Sequence, residues 1–427
     1  MLSVQQLNAR VQRGFNRTFD ALGNQRYRYL WGGMFFSMAA LQVSIVSRAW
    51  LAYDLSGSAL VLGMVAAARG LPQLLLAPLA GVVADRVDKR RLLLVTQSSL
   101  VALGLLVAVL VHTGLIQVWQ LVAVGLVQGC LFPFTMPARA AIVPDLVPEH
   151  QVSNALALDS TGQNMNRVLA PAVAGLLIAW QPTIAFYAVA LLYAGAVLTL
   201  LHLPSGLRGT APRKGTFADM AVGFRYIAGQ PALLGLILLA FVPILFGMPF
   251  QQLLPVFQKD ILEVGPRSLG FMYAAVGIGA ITGSLLAAYF SNSPQLGRLQ
   301  VGAGALFGLA VAAFALSRNF TMTLLILIVA GFASQGYLTI NRVLVIMRTD
   351  RALYGRVMSV YMMTWSLMPI SLLPIGYIVD RAGAPATLTV SGLVLTAFVI
   401  IIALSFPQLY LRRTLPPPTP VSSSHGK

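Results

Sequence analysis

Runs of apolar residues long enough to cross a bilayer recur along this chain, and they restrict it to one class of architecture. Twelve such runs fall near 29–54, 59–84, 92–113, 118–142, 153–180, 183–203, 231–256, 266–291, 297–317, 320–344, 354–379 and 384–406. Each holds roughly 20 or more residues, enough for an α-helix to cross a hydrocarbon core ~30 Å thick. A backbone inside lipid must satisfy its own polar groups, so only helices and closed barrels can span. The runs are continuous rather than alternating, which argues against barrel strands. Charged residues make up 10% of the 427, where a soluble domain carries about 25%. The expected fold class is an all-α integral membrane protein.

A formal net charge of +17 would point to nucleic acid in a soluble protein. Here its distribution points elsewhere. Basic residues gather in the amino-terminal segment (Arg10, Arg13, Arg17, Arg26, Arg28), the turn after the second run (Arg86, Lys89, Arg90, Arg91), the middle linker (Arg208, Arg213, Lys214, Arg225), around 348–351 (Arg348, Arg351) and the carboxyl-terminal segment (Arg412, Arg413, Lys427). All of these lie on one predicted side, whereas loops 54–58, 113–117 and 181–182 contain no Lys or Arg. The bias expects both termini in the cytoplasm and a multi-pass protein of the inner (plasma) membrane. The basic excess then suits an anionic leaflet, with no role for nucleic acid. Lys259, Arg267, Arg318 and Arg381 depart from the pattern on the other side. The first ~28 residues lack the short apolar core of a cleavable signal, so the first run is expected to remain as an anchor. Cys130 is the only cysteine, which rules out an internal disulfide, and the four histidines show no metal-ligand spacing.

The chain divides near 204–230, where Gly, Pro and basic residues interrupt the apolar pattern. The later part of this linker sets Phe217, Met220, Phe224 and Ile227 at helical spacing, which predicts an amphipathic helix on the cytoplasmic membrane surface. The expected organisation is a basic tail (1–28), a six-helix bundle (29–203), the linker (204–230), a second six-helix bundle (231–406) and a disordered tail (407–427). The halves echo each other weakly, as in Gln128-Gly129 and Gln335-Gly336.

The turn after the second run reads Gly81-Val82-Val83-Ala84-Asp85-Arg86-Val87-Asp88-Lys89-Arg90-Arg91. This Gly-x-x-x-Asp-Arg-x-x-Lys-Arg pattern resembles the loop between helices 2 and 3 of the major facilitator superfamily. Asp88 stands where the common pattern has glycine, a variant similar to the siderophore-exporter and secretion-effector branch. The resemblance implies twelve transmembrane helices in two pseudo-symmetric bundles around a central path. It also implies a conformational gate in which Asp85 faces the start of helix 11, here Tyr354-Gly355-Arg356, supported by Gly81, Arg86, Lys89 and Arg90. An anion at a helix N-terminus is worth roughly 0.3–2 kcal/mol, enough to bias two states of similar energy. A topogenic basic loop with an incidental acid is the plainer alternative.

The fifth run contains Ala170-Pro171-Ala172-Val173-Ala174-Gly175, which resembles the Gly-Pro-x-x-Gly-Gly signature of helix 5 in exporters of the superfamily, with Ala170 and Ala174 replacing glycine. Ordinary close helix packing explains the same residues equally well. Arg48, Arg69 and Arg167 fall inside spans, where a charge costs about 2.5–3.5 kcal/mol and so faces a cavity or a partner. They are candidates to line a cavity favouring an anionic or polyoxygenated solute, with Gln73, Gln128, Gln335, Asn341 and Trp365 as further lining. Asp159 is the only acid clearly within a span and is the candidate for proton coupling, although a solvated acid near a helix start is an equal reading. The chain has no phosphate-binding loop and no catalytic grouping, so neither ATP hydrolysis nor an enzyme activity is expected, and no cofactor. The resemblance implies a monomeric, proton-coupled exporter of a small molecule. An importer or lipid flippase on the same fold, or a non-transporting receptor or scaffold, remains open.

Overall fold

In the computed structural model, residues 20–206, 216–291, 293–350 and 353–407 are described, and all regular structure among them is helical. The helices are α1 (Gln25–Ser56), α2 (Ala59–Arg86), α3 (Lys89–His112), α4 (Val118–Leu146), α5 (Val152–Trp180), α6 (Pro182–Leu201), α7 (Thr216–Ala228), α8 (Pro231–Val242), α9 (Arg267–Tyr289), α10 (Leu296–Leu316), α11 (Phe320–Arg348), α12 (Tyr354–Ser366), α13 (Met368–Ala382) and α14 (Ala384–Ser405). Among the described residues, eleven helical segments are long and apolar enough to cross a membrane. The twelfth expected span, α5, has 29 residues but is not one of the eleven, because polar residues crowd its first half from Asn154 to Arg167. The basic residues expected at 1–19, at 208–214, at Arg351 and beyond 407 lie outside the described residues.

Local chemistry sets the helix ends. Asn24 Oδ1 accepts from the Arg26 and Tyr27 amides at the start of α1, Ser58 Oγ from Val61 in α2, Asp88 Oδ1 from Arg91 in α3 and Asn319 Oδ1 from Met322 in α11. Proline opens α6 and α8, where its missing amide costs nothing. Gly57, at φ 63°, closes α1 in the left-handed conformation and lets α2 return within two residues.

Two expected spans are not continuous helices. After α8 the chain runs through π turns at Pro243–Gly247 and Phe257–Ile261, with two short α-helical segments between them. Pro243, Pro249 and Pro255 each lack an amide, so three carbonyls one turn earlier lose their regular donor. Two buried tyrosines supply replacements: Tyr337 of α11 donates to Leu239 O, and Tyr273 of α9 donates to Gln251 O at 3.0 Å. Freed backbone groups at membrane depth are tolerated only when neighbours satisfy them in this way. The second break is at Leu367, where α12 ends and α13 begins.

The expected linker helix forms as α7, with Ile227 buried and Phe224 exposed. Gly223 faces the protein, where an added Cβ would meet Arg356 O at 2.9 Å. The absent side chain lets α7 lie directly on the start of α12. The side chains of Phe217 and Met220 lie outside the described residues.

Turns 57–58, 113–117 and 383, and residues 262–266, share one end of the molecule, called here the far end. Turns 87–88 and 147–151 share the other, the basic end. The first six helices meet the later ones along two seams, α2 against α13 and α5 against α9. Both are lined by small residues. A Cβ on Gly175 would lie 2.2 Å from Gly270 Cα, and one on Gly376 would lie 2.4 Å from Ala59 O. Helix backbones in contact at these points explain why small side chains are needed there.

Candidate substrate path and gates

Helices α1, α2 and α4 carry three buried guanidinium groups into the interior of the first bundle. Arg48 and Arg139 are each only 4% exposed. Arg48 Nε and Nη1, Arg69 Nε, and Arg139 Nε and Nη1 have no hydrogen-bond partner among the described residues. Arg139 Nη2 donates to Gly33 O at 3.2 Å, and the Arg69 guanidinium lies 5.1 Å from the Phe132 ring centroid. Tyr193 of α6 is buried within electrostatic range of all three arginines. Glycines in α4 make room: Gly125 faces Arg48 Nη1, and Gly129 lets α4 touch the α2 backbone at Arg69. Gln128 Oε1, also buried and without a partner, lies on the same helix.

The acid that faces this group is Asp159 on α5, within electrostatic range of Arg139. Its Oδ1 lies 2.9 Å from the Tyr27 hydroxyl, which is also 2.7 Å from Ala155 O. A tyrosine hydroxyl carries one proton and can donate to only one of two acceptors. With Asp159 ionised, one contact has no hydrogen. With Asp159 protonated, the carboxyl donates to Tyr27, Tyr27 donates to Ala155 O, and both contacts are satisfied.

Arg167 sits about 12 Å, some two turns, further along α5. Its guanidinium lies 5.2 Å from the Trp365 ring centroid on α12, so it bridges the two halves, and it is within electrostatic range of Arg342. Asn341 is buried with Nδ2 donating to Leu236 O at 2.9 Å, so it ties α11 to α8 while its Oδ1 has no partner. Gln73 and Gln335 are half-buried.

Of the residues expected at the gate, two bond within the first six helices. Lys89 donates to Ala141 O at 2.8 Å and pairs with Asp145 at 3.1 Å. Arg90 donates to Leu200 O and Leu201 O at the end of α6, at 3.3 and 2.8 Å. Gly81, Asp85 and Arg86 occupy the last turns of α2, and their side chains lie outside the described residues. Gly355 is exposed, and Arg356 packs beneath α7. Asp88 has a structural role: besides capping α3, its Oδ2 accepts from Gly206 N at 2.8 Å.

In the helix 5 motif, Ala170 and Ala174 are buried, Gly175 meets Gly270 of α9, and Pro171 is half-buried between them. Val168, just before the motif, contacts Gly277 of α9. Sequence reasoning missed Arg139, Tyr27 and Tyr193. Asp54, near the end of α1, pairs with Lys259 at 2.9 Å.

A family model described as transmembrane secretion effector matches residues 16–413. The chain belongs to this family of the major facilitator superfamily. Three relatives are named for efflux, transport or export. Macrolide efflux protein A of Streptococcus pyogenes is 23% identical over 88% of this chain and 95% of its own length. The staphyloferrin A transporter of Staphylococcus aureus is 24% identical over 86% and 92%. Enterobactin exporter EntS of Shigella boydii is 25% identical over 72% and 70%. Among solved structures, nucleoside transporter NupG superposes with a TM-score of 0.70 at 14% identity, over 91% of this chain and 100% of that one. A bacterial homologue of the human lysosomal transporter Spinster gives 0.67 at 14%, over 90% and 96%. These two show the shared fold. The chain is thus a multi-pass membrane transporter of small molecules and not an enzyme.

Proposed function

We propose that this secretion effector exports an anionic or polyoxygenated small molecule by alternating access, driven by inward proton flow. The observation that carries the reading is the group of buried guanidinium N–H donors on Arg48, Arg69 and Arg139 that no described residue satisfies. A buried donor left unmade costs about 1–3 kcal/mol, more for a charged group, and a solute rich in oxygen would satisfy several at once. Three arginines surround Tyr193, and Asp159 is within range of Arg139 alone among them, so the path favours negative charge. Arg167 and Trp365 extend it across the two halves, with Gln73, Gln128, Gln335 and Asn341 as further polar lining. The relatives named for staphyloferrin A and enterobactin fit this reading, and the macrolide efflux relative keeps drugs in the test panel.

In this reading Asp159 is the coupling acid. Protonated, it completes the chain to Tyr27 and Ala155 O. Ionised, it attracts Arg139. In an antiport cycle Asp159 takes up its proton from the outer side after the solute has left. Asp85 gates the basic end against the start of α12. The domain plan is a basic tail (1–28), bundles at 29–203 and 231–406, a linker (204–230) and a terminal tail (407–427). The protein acts as a monomer of twelve crossings in the plasma membrane, with both termini and the basic end in the cytoplasm, and it binds no nucleic acid.

The deciding experiment uses inverted vesicles and a panel of anionic siderophores, organic acids and drugs. Uptake into the vesicles that collapses with the proton gradient is the expected result. Accumulation only in right-side-out vesicles would replace export with import.

A further inference from the structure

The Gly-x-x-x-Asp-Arg pattern at the end of α2 occurs a second time. Gly81-Val82-Val83-Ala84-Asp85-Arg86 closes α2 at the basic end, and Gly376-Tyr377-Ile378-Val379-Asp380-Arg381 closes α13 at the far end. Both read Gly-x-x-x-Asp-Arg. The Gly-to-Asp spacing of four puts the two residues on one helix face, a turn apart.

The second copy is engaged. Asp380 Oδ1 accepts from Ala59 N at 2.7 Å, and its Oδ2 accepts from Leu60 N at 3.1 Å and from Ser58 Oγ at 2.5 Å. A carboxylate from α13 thus occupies the N-terminus of α2, where unpaired amides and the helix dipole favour an anion. Gly376 makes this possible one turn earlier, since a side chain there would strike Ala59 O at 2.4 Å. Gly63 does the same from the α2 side, against Leu372 O at 2.7 Å. Arg381 turns back over the Tyr377 ring, 4.4 Å from its centroid, and leaves the aspartate free to cap α2. Beside this seam, Tyr53 of α1 donates to Asp260, and Lys259 pairs with Asp54. Tyr53 is also within electrostatic range of Asp380, so the two contacts form one closed rim.

We propose that Asp380 is a positioning residue of the transport cycle, the clamp that closes the far end, and that the two hexapeptides act in opposition on the same pair of helices. Asp380 at the tail of α13 holds the head of α2. Asp85 at the tail of α2 holds the head of the α12–α13 span at the opposite face. Helices that rock against each other cannot seat both carboxylates at once, so each clamp opens as the other closes. The pairing with Asp85 rests on the gate reading above, whereas the far-end clamp does not.

Spin-label distance measurements on the full chain with Cys130→Ser test both parts. Labels at Leu115→Cys and Ala386→Cys, both exposed, report the far end, and labels at Arg91→Cys and Met347→Cys report the basic end. Asp380→Ala is expected to move the far-end distances to a longer population and shorten the basic-end ones. Asp85→Ala is expected to leave the far end short and lengthen the basic-end distances. A folded Asp380→Ala protein with unchanged far-end distances overturns the clamp, even if Asp85→Ala still shifts the basic end and keeps the gate reading intact. A shift with Asp380→Ala and none with Asp85→Ala keeps the clamp and overturns the opposition. Should Asp380→Ala fail to fold, Gly376→Ala decides: a longer far-end population supports the clamp, and an unchanged one overturns it.

Discussion

Single side chains carry the substrate reading, and Arg69 is the most direct place to test it. Arg69→Gln keeps a polar side chain but shortens it and removes the charge. Loss of a charged hydrogen bond costs about 1.5–3 kcal/mol, a roughly 10- to 100-fold rise in the solute concentration for half-maximal transport, with insertion and melting temperature unchanged. Asp159→Asn should abolish gradient-driven accumulation but retain downhill exchange, and vesicles scored for both fluxes separate the two. Tyr27→Phe should weaken coupling in the same direction, because the shared hydroxyl between Asp159 and Ala155 O is gone. Arg48, Arg69 and Arg167 were legible in the sequence because a charge within an apolar run stands out. Arg139 was not, because it lies close to where the fourth run was expected to stop, near 142, and α4 continues to Leu146. Tyr27 and Tyr193 were not legible either, since a tyrosine in a membrane helix gives no sign of which neighbour its hydroxyl meets.

At the level of helices, backbone contact and backbone repair are the controlling features. Gly175→Ala would place a methyl 2.2 Å from Gly270 Cα, where no flexible side chain can give way. Overpacking of this kind costs about 1–3 kcal/mol, so a lower melting temperature in detergent is expected, with transport reduced further because α5 and α9 form a seam between the halves. Tyr273→Phe and Tyr337→Phe each leave a proline-orphaned carbonyl buried without its donor, at about 1–3 kcal/mol apiece. The loss should appear as a lower melting temperature for either variant. The apolar runs themselves were legible because length and hydropathy alone define a crossing helix. The breaks at Pro243–Gly247 and Leu367 were visible only as prolines, and proline in a membrane helix gives a bend, a π turn or nothing, depending on what neighbouring helices offer.

Across the whole molecule, the charge bias and the expected six-and-six plan speak to the architecture more than to its motion. Tags on the two termini should both be shielded in intact cells and accessible after permeabilisation, and an exposed tag on either end would reverse the topology. The superfamily was legible from the single turn at 81–91, since few other proteins combine that spacing with apolar flanks. The far-end rim was not, because Asp54, Lys259, Asp260 and Asp380 come from distant parts of the chain and only folding brings them together. The second hexapeptide could have been found by comparing 81–86 with 376–381 directly, but α13 is not the repeat partner that six-and-six symmetry assigns to α2.

The irregular stretch after α8 also bears on how the protein is made. Its prolines are synthesised before Tyr273 and Tyr337, so the stretch precedes into the bilayer the donors that its freed carbonyls need. Its final bent shape must wait for α9 and then α11 to arrive, and the second bundle can settle only once most of it has been inserted. A nascent chain stalled before Tyr337 should therefore still be open to proteolysis within 231–261, and the same chain released after α11 should resist it.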